Sequence, residues 1–161
     1  MTSQAAAAPR SPLARLFATS GGFSAFVLRL TLAVVLFPHG AQKLLGWWGG
    51  HGFAGTRDFL VGQIGLPPAL AVFIILLEFF GPILLVLGLF TRPVALAVIG
   101  LMIGAIQTVH RPYGFFMNWT GAQEGEGFEY HLLVIGIGVA LLVLGAGSAS
   151  LDARIGGGSR R

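Results

Sequence analysis

The chain has 161 residues, 55% of them hydrophobic and 10% charged, and its mean hydropathy is +0.81. Soluble domains carry about 25% charged residues, so this composition excludes a soluble globule and fits one membrane domain with no room for a second. The net charge is +4, but one lysine and nine arginines without a basic run exclude a nucleic-acid surface, and a cysteine count of 0 excludes disulfides and any thiol chemistry of the chain's own.

Residues 1–22 read as a mobile or interfacial tail and not as a cleaved leader. Its charged start is long, and Arg29, His39 and Lys43 break up the apolar segment that a signal peptide would discard. Residues 23–147 read as a transmembrane domain with spans at about 23–45, 67–90, 93–111 and 128–147, each near the ~20 residues that cross a hydrocarbon core. Between the first two spans, "GFAGTRDFLVGQIG" is too polar to cross and predicts a short interfacial helix. "LPP" at 66–68 suits a helix start, and "FTRPVAL" a tight turn. Residues 148–161 form a C-terminal tail. The fold class expected is all-α, an integral membrane four-helix bundle.

In such a four-pass protein Arg10, Arg15, Arg92, Arg154, Arg160 and Arg161 share one face, against Lys43, Arg57 and Arg111 on the other. The positive-inside rule then puts both termini in the cytoplasm. Gly100 and Gly104 give helix three a small-xxx-small face for close helix packing, and Gly138 and Gly145 stand two turns apart on helix four.

Polar groups interrupt these spans. Steps of three, four and seven return to one side of a helix, so Arg29, His39 and Lys43 share a stripe on helix one. Pro38 frees the carbonyl of Val34 beside them. Glu78 stands in the middle of helix two with apolar residues for about two turns on both sides, a position that costs several kcal/mol unless the carboxylate is neutralised or paired. Arg29 on one side, His39 and Lys43 on the other, or protonation would each answer the need. Arg29 has the alternative of snorkelling to the interface, and Lys43, Trp47 and Trp48 of forming an interfacial anchor. Helix three adds Gln107 and His110 near its outer end. Helix four begins with Glu129 and His131, about 200° apart on a helix, so Glu129 has the alternative of an N-terminal cap. The convergence of these groups in the outer half predicts a shared polar site.

The chemistry expected there is quinone binding. A quinone head group needs a hydrogen-bond donor at each carbonyl and a proton source beside an apolar groove. His39 or Lys43 would donate, Glu78 or Glu129 would relay protons, and Gln42, Gln107, His110 and His131 would complete the binding site. Glu78, His39 and Lys43 are the candidate catalytic groups. Haem or metal ligation by His39, His110 and His131 fits less well, because no HxxxH or ExxH motif presents two ligands on one helix face. A nicotinamide or flavin fingerprint is absent.

"LRLTLAVVLFPHGAQKLLGW" and "GLPPALAVFIILLEFFGPILLVLGLFTR", followed in order by "IQTVHRPYGFF", "GFEYHLL" and "GAGSASLD", resemble the DoxX family of small four-helix membrane proteins over about residues 26–154. The resemblance implies four transmembrane helices in a bacterial inner membrane and a redox role, since the family is named for a subunit of a thiosulfate:quinone oxidoreductase. It marks His39, Gln42, Lys43, Glu78, His110, Glu129 and Tyr130 as positions matching the family pattern. The reading that results is a quinone-facing redox subunit of a small membrane complex. It calls for membrane lipid and a soluble or membrane redox partner protein, and leaves a homo-oligomer open. A proton-coupled carrier for a small molecule, or a non-catalytic assembly or anchoring subunit, is the alternative.

Overall fold

A computed structural model describes residues 16–20 and 22–156; most of the expected N-terminal tail, and residues 157–161, lie outside them. Helix α1 runs Gly22–Leu45 with Pro38 inside it, and a 3₁₀ turn at Trp47–Gly49 leads to the short helix α2, Gly52–Gly62. Helix α3, Pro68–Leu87, begins on a proline, whose missing N–H would be unpaired there in any case. Gly88 ends it with φ +62°, a conformation that glycine adopts without strain, and its N–H returns to the carbonyls of Leu84 and Leu85. Helix α4, Thr91–Ala105, continues through a π turn at Ile106–His110 and a 3₁₀ turn at Arg111–Tyr113. After a loop come α5, Glu129–Leu144, and α6, Leu151–Ile155. Among the described residues all regular structure is helical.

The helices pack as two pairs, α1 on α3 and α4 on α5, joined by the α3–α4 turn and by contact of α1 with α5, while α2 folds back over α1 and α3. Leu32, Leu36, Leu85, Val98 and Leu141 fill the core. Two glycines set how closely the helices within each pair approach. A Cβ on Gly40 would fall on the main chain of Glu78, and one on Gly138 would press on Ile99. Gly100 and Gly104 do not serve this purpose. Nothing lies within 4 Å of a Cβ at either, so the helix-packing face expected on helix three is not used there.

Gly22–Leu45, Pro68–Leu87 and Thr91–Tyr113 are long and apolar enough to cross a membrane. Helix α5 has 16 residues, about 24 Å at ~1.5 Å per residue, short of a ~30 Å hydrocarbon core. The irregular segment that follows it must therefore have its polar backbone satisfied by protein. Arg29 performs this task. Its Nε donates to the carbonyl of Ala146 (2.8 Å) and its Nη2 to those of Ser148 (3.0 Å) and Ala149 (3.2 Å). Its Nη1 donates to two carbonyls at the end of α3, that of Leu85 (2.7 Å), which also accepts from Gly88, and that of Val86 (3.2 Å).

Arg29 is 0% exposed, so it neither snorkels nor pairs with Glu78. Asp152 of α6, also buried, accepts from the N–H groups of Phe90 (2.8 Å) and Thr91 (2.9 Å) and caps α4. Backbone bonds from Ser20 to Leu144 and from Ser148 to Gly22, each 2.9 Å, bring the start of α1 and the end of α5 together with the α3–α4 turn. Trp47, Trp48, α2 and the loop after Tyr113 lie at the opposite end.

Candidate functional site in the bundle

Toward that opposite end the two helix pairs enclose a cavity of about 710 Å³, within the ~300–1,000 Å³ typical of ligand pockets. One wall is charged. Lys43 of α1 forms an ion pair with Glu78 of α3; the carboxylate is 5% exposed and the lysine 34%. Gly40 explains the pairing, because its missing side chain lets α1 rest on the main chain of Glu78, one turn before Lys43. Of the three answers open for Glu78, the structure selects Lys43. His39 lines the same cavity.

The facing wall carries His110, Tyr130 and His131. The rings of His110 and His131 lie 4.1 Å apart between centroids, tilted by 46°. The π turn aims His110 there, and turns of this kind recur at functional sites. Nδ1 of His110 lies 2.9 Å from the carbonyl oxygen of Glu126; a carbonyl only accepts, so this bond puts the hydrogen on Nδ1. His131 is buried and, among the described residues, its Nδ1 has no hydrogen-bond partner; the buried hydroxyl of Tyr130 has none there either. Buried polar atoms are nearly always partnered, and each orphan costs about 1–3 kcal/mol. Both atoms belong to neighbouring residues that line one wall of the cavity.

Three expected site residues lie elsewhere. Gln42 follows the helix round by about 100° from Lys43, and its amide donates to the carbonyl of Trp48 (3.4 Å). Gln107, in the π turn, accepts from Arg111 (3.5 Å). Glu129 accepts from the N–H of Met117 (2.8 Å) and the indole N–H of Trp119 (3.2 Å), bracing the loop before α5. The angular separation of Glu129 and His131 on α5 sends the first to the loop and the second to the cavity. The π turn and the orienting carbonyl of Glu126 have no side-chain signature, and sequence reasoning passed over both. Among the described residues no three of His, Cys, Asp and Glu converge as a metal site.

Residues 24–111 match the DoxX family, covering α1 to α4 and the π turn. The chain belongs to the DoxX family. It is 35% identical over 115 residues to a Bacillus subtilis protein named "Putative oxidoreductase CatD", covering 71% of this chain and 75% of that one. It is 29% identical over 133 residues to the Escherichia coli "Inner membrane protein YphA", covering 80% and 87%. No solved structure gives a significant match. His39, Lys43, Glu78 and His110 fall inside the matched DoxX region, whereas Tyr130 and His131 lie beyond its end. The chain is a multi-pass inner-membrane DoxX protein, with apolar side chains such as Val34, Leu133 and Val143 turned out to the lipid.

Proposed function

We propose that this protein is the quinone-facing subunit of a small membrane oxidoreductase. The observation that carries the reading is the pair of unpartnered buried groups, His131 Nδ1 and the Tyr130 hydroxyl, in a cavity that also holds the Lys43–Glu78 ion pair. A bound quinone would supply two-electron, two-proton redox chemistry, with electrons delivered by a partner protein because the chain has no cysteine.

The chain's own residues divide the remaining work. Lys43 has three N–H donors and commits one to Glu78, leaving others for a ligand carbonyl. Tyr130 and His131 offer hydrogen-bonding atoms on the facing wall. Glu78 is the carboxylate that can hold a proton for transfer, since Glu129 is engaged by Met117 and Trp119. His39 stands where it can share that proton. The name of the Bacillus subtilis relative accords with a redox role, and the reading leaves open a second copy of the chain as partner.

The test is quinone-dependent electron uptake by the complex purified with its partner. Glu78→Gln and His39→Ala are expected to lower turnover about tenfold or more while the protein still folds. A second reading, an assembly subunit in which the ion pair only fixes helix register, draws on the bridging of α1 and α3 by Lys43 and Glu78. Exchanging the pair, Lys43→Glu together with Glu78→Lys, keeps an ion pair between the helices and separates the two. The register reading expects a working complex, the quinone reading a folded but inactive one.

A further inference from the structure

The cavity is larger than a quinone ring needs, and its far wall is not sealed. Gly100 and Gly104 on α4, and Leu70 and Phe73 on α3, line the cavity and are also exposed at the bundle surface, Phe73 by 52%. Residues that both line the cavity and are exposed to this degree fit a cavity that opens between α3 and α4. The helix pairing produces this opening. The two helices meet tightly at the Gly88–Phe90 turn, but each has its main partner elsewhere, α3 in α1 and α4 in α5. Away from the turn the gap widens, and the glycines keep it clear, since nothing lies within 4 Å of a Cβ at Gly100 or Gly104. The gap lies along the flank of the spanning helices, so it faces hydrocarbon and not water.

We infer that the α3–α4 gap is a lateral entrance from the bilayer, and that the glycine-lined part of the cavity holds the apolar chain of the ligand whose head group reaches Lys43 and His131. The inference rests on the quinone reading for the head group and adds the ligand's second half, a long hydrocarbon or isoprenoid chain. Two independent observations meet in it. The buried, unpartnered His131 Nδ1 marks the polar end, and the open glycine wall marks the apolar end of one continuous cavity. Gly100 stands ten residues before His110, roughly 15 Å along the helix at ~1.5 Å per residue. A bulky side chain at Gly100 therefore obstructs the chain without touching the head group.

The experiment compares two quinones with the same ring, one bearing a polyprenyl chain and one bearing only methyl groups, binding to the purified full-length protein in detergent. Wild type is expected to hold the chain-bearing quinone more tightly. Gly100→Phe is expected to weaken it about tenfold, equivalent to ~1.4 kcal/mol, and to leave the short quinone within about twofold. Gly136→Phe is the control, because Gly136 also has nothing within 4 Å of a Cβ but lies on α5 outside the cavity. If wild type binds both quinones and Gly100→Phe binds the chain-bearing one as wild type does, the entrance is overturned and the quinone reading stands. Equal loss in Gly136→Phe also overturns the entrance. If wild type binds neither quinone, the reading of the head group fails and the inference fails with it.

Discussion

Arg29 and Glu78 are both buried charges in spanning helices, and the chain accommodates them in different ways. Arg29 uses main-chain carbonyls from two regions of the fold, whereas Glu78 uses one side chain, Lys43. Removing each should therefore have different consequences. Arg29→Ala strands the buried carbonyl of Ala146 and removes the links to Leu85, Ser148 and Ala149, and should cost about 3 kcal/mol or more. Thermal unfolding in detergent should show a large loss for Arg29→Ala and a partial recovery in Arg29→Lys, which keeps the charge but not the fork of donors. Glu78→Gln should cost only about 1–2 kcal/mol, because the amide oxygen still accepts from Lys43 and that lysine is a third exposed. Its effect should fall on turnover. The sequence displayed Glu78 plainly, as a lone carboxylate in an apolar run. It could not display the partner of Arg29, since carbonyls are common to every residue and only the fold selects which ones are left free.

At the scale of helices, the glycines divide by what stands opposite them. Gly40→Ala should drive α1 away from the main chain at Glu78 and cost at least the ~1–3 kcal/mol of an overpacked core. Gly100→Ala should instead stabilise by about 0.5–1 kcal/mol, because alanine loses less backbone entropy in a helix and meets no neighbour. Unfolding midpoints of the two variants against wild type check both signs. Helical periodicity made the four long apolar segments legible, and the step between Glu129 and His131 correctly implied divergent directions. It did not reveal which glycines pack and which leave space, because the spacing of Gly100 and Gly104 is the same for either purpose. Nor did it reveal the π turn, which depends on one extra residue in a helical turn and has no composition of its own. The shortness of α5 was also hidden. "GAG" at 145–147 continues the apolar span in composition, but Gly145 ends the helix, and the carbonyls of Ala146, Ser148 and Ala149 beyond it go to Arg29.

For the whole molecule, the bonds of Thr19, Ser20 and Gly22 to residues 144–148 bring the described ends of the chain together. The arginine distribution predicts that this end faces the cytoplasm. The absence of cysteine makes the orientation directly measurable. A cysteine placed at Glu124 should react with a membrane-impermeant maleimide in intact spheroplasts, and one placed at Ile155 only after lysis; the reverse pattern would invert the topology. On this orientation the polar end of the cavity lies toward the outer face, and the Arg29 and Asp152 clamps hold the cytoplasmic end.

The central claim is that the cavity between Lys43–Glu78 and His131 holds a quinone. Its most direct measurement is the quinone content of protein purified from membranes in mild detergent, read from the ultraviolet difference spectrum of a solvent extract before and after borohydride reduction. The account predicts near-stoichiometric quinone in wild type and sharply reduced quinone in His131→Ala at equal yield of folded protein. Wild-type protein free of quinone, or equal quinone in both samples, would contradict it.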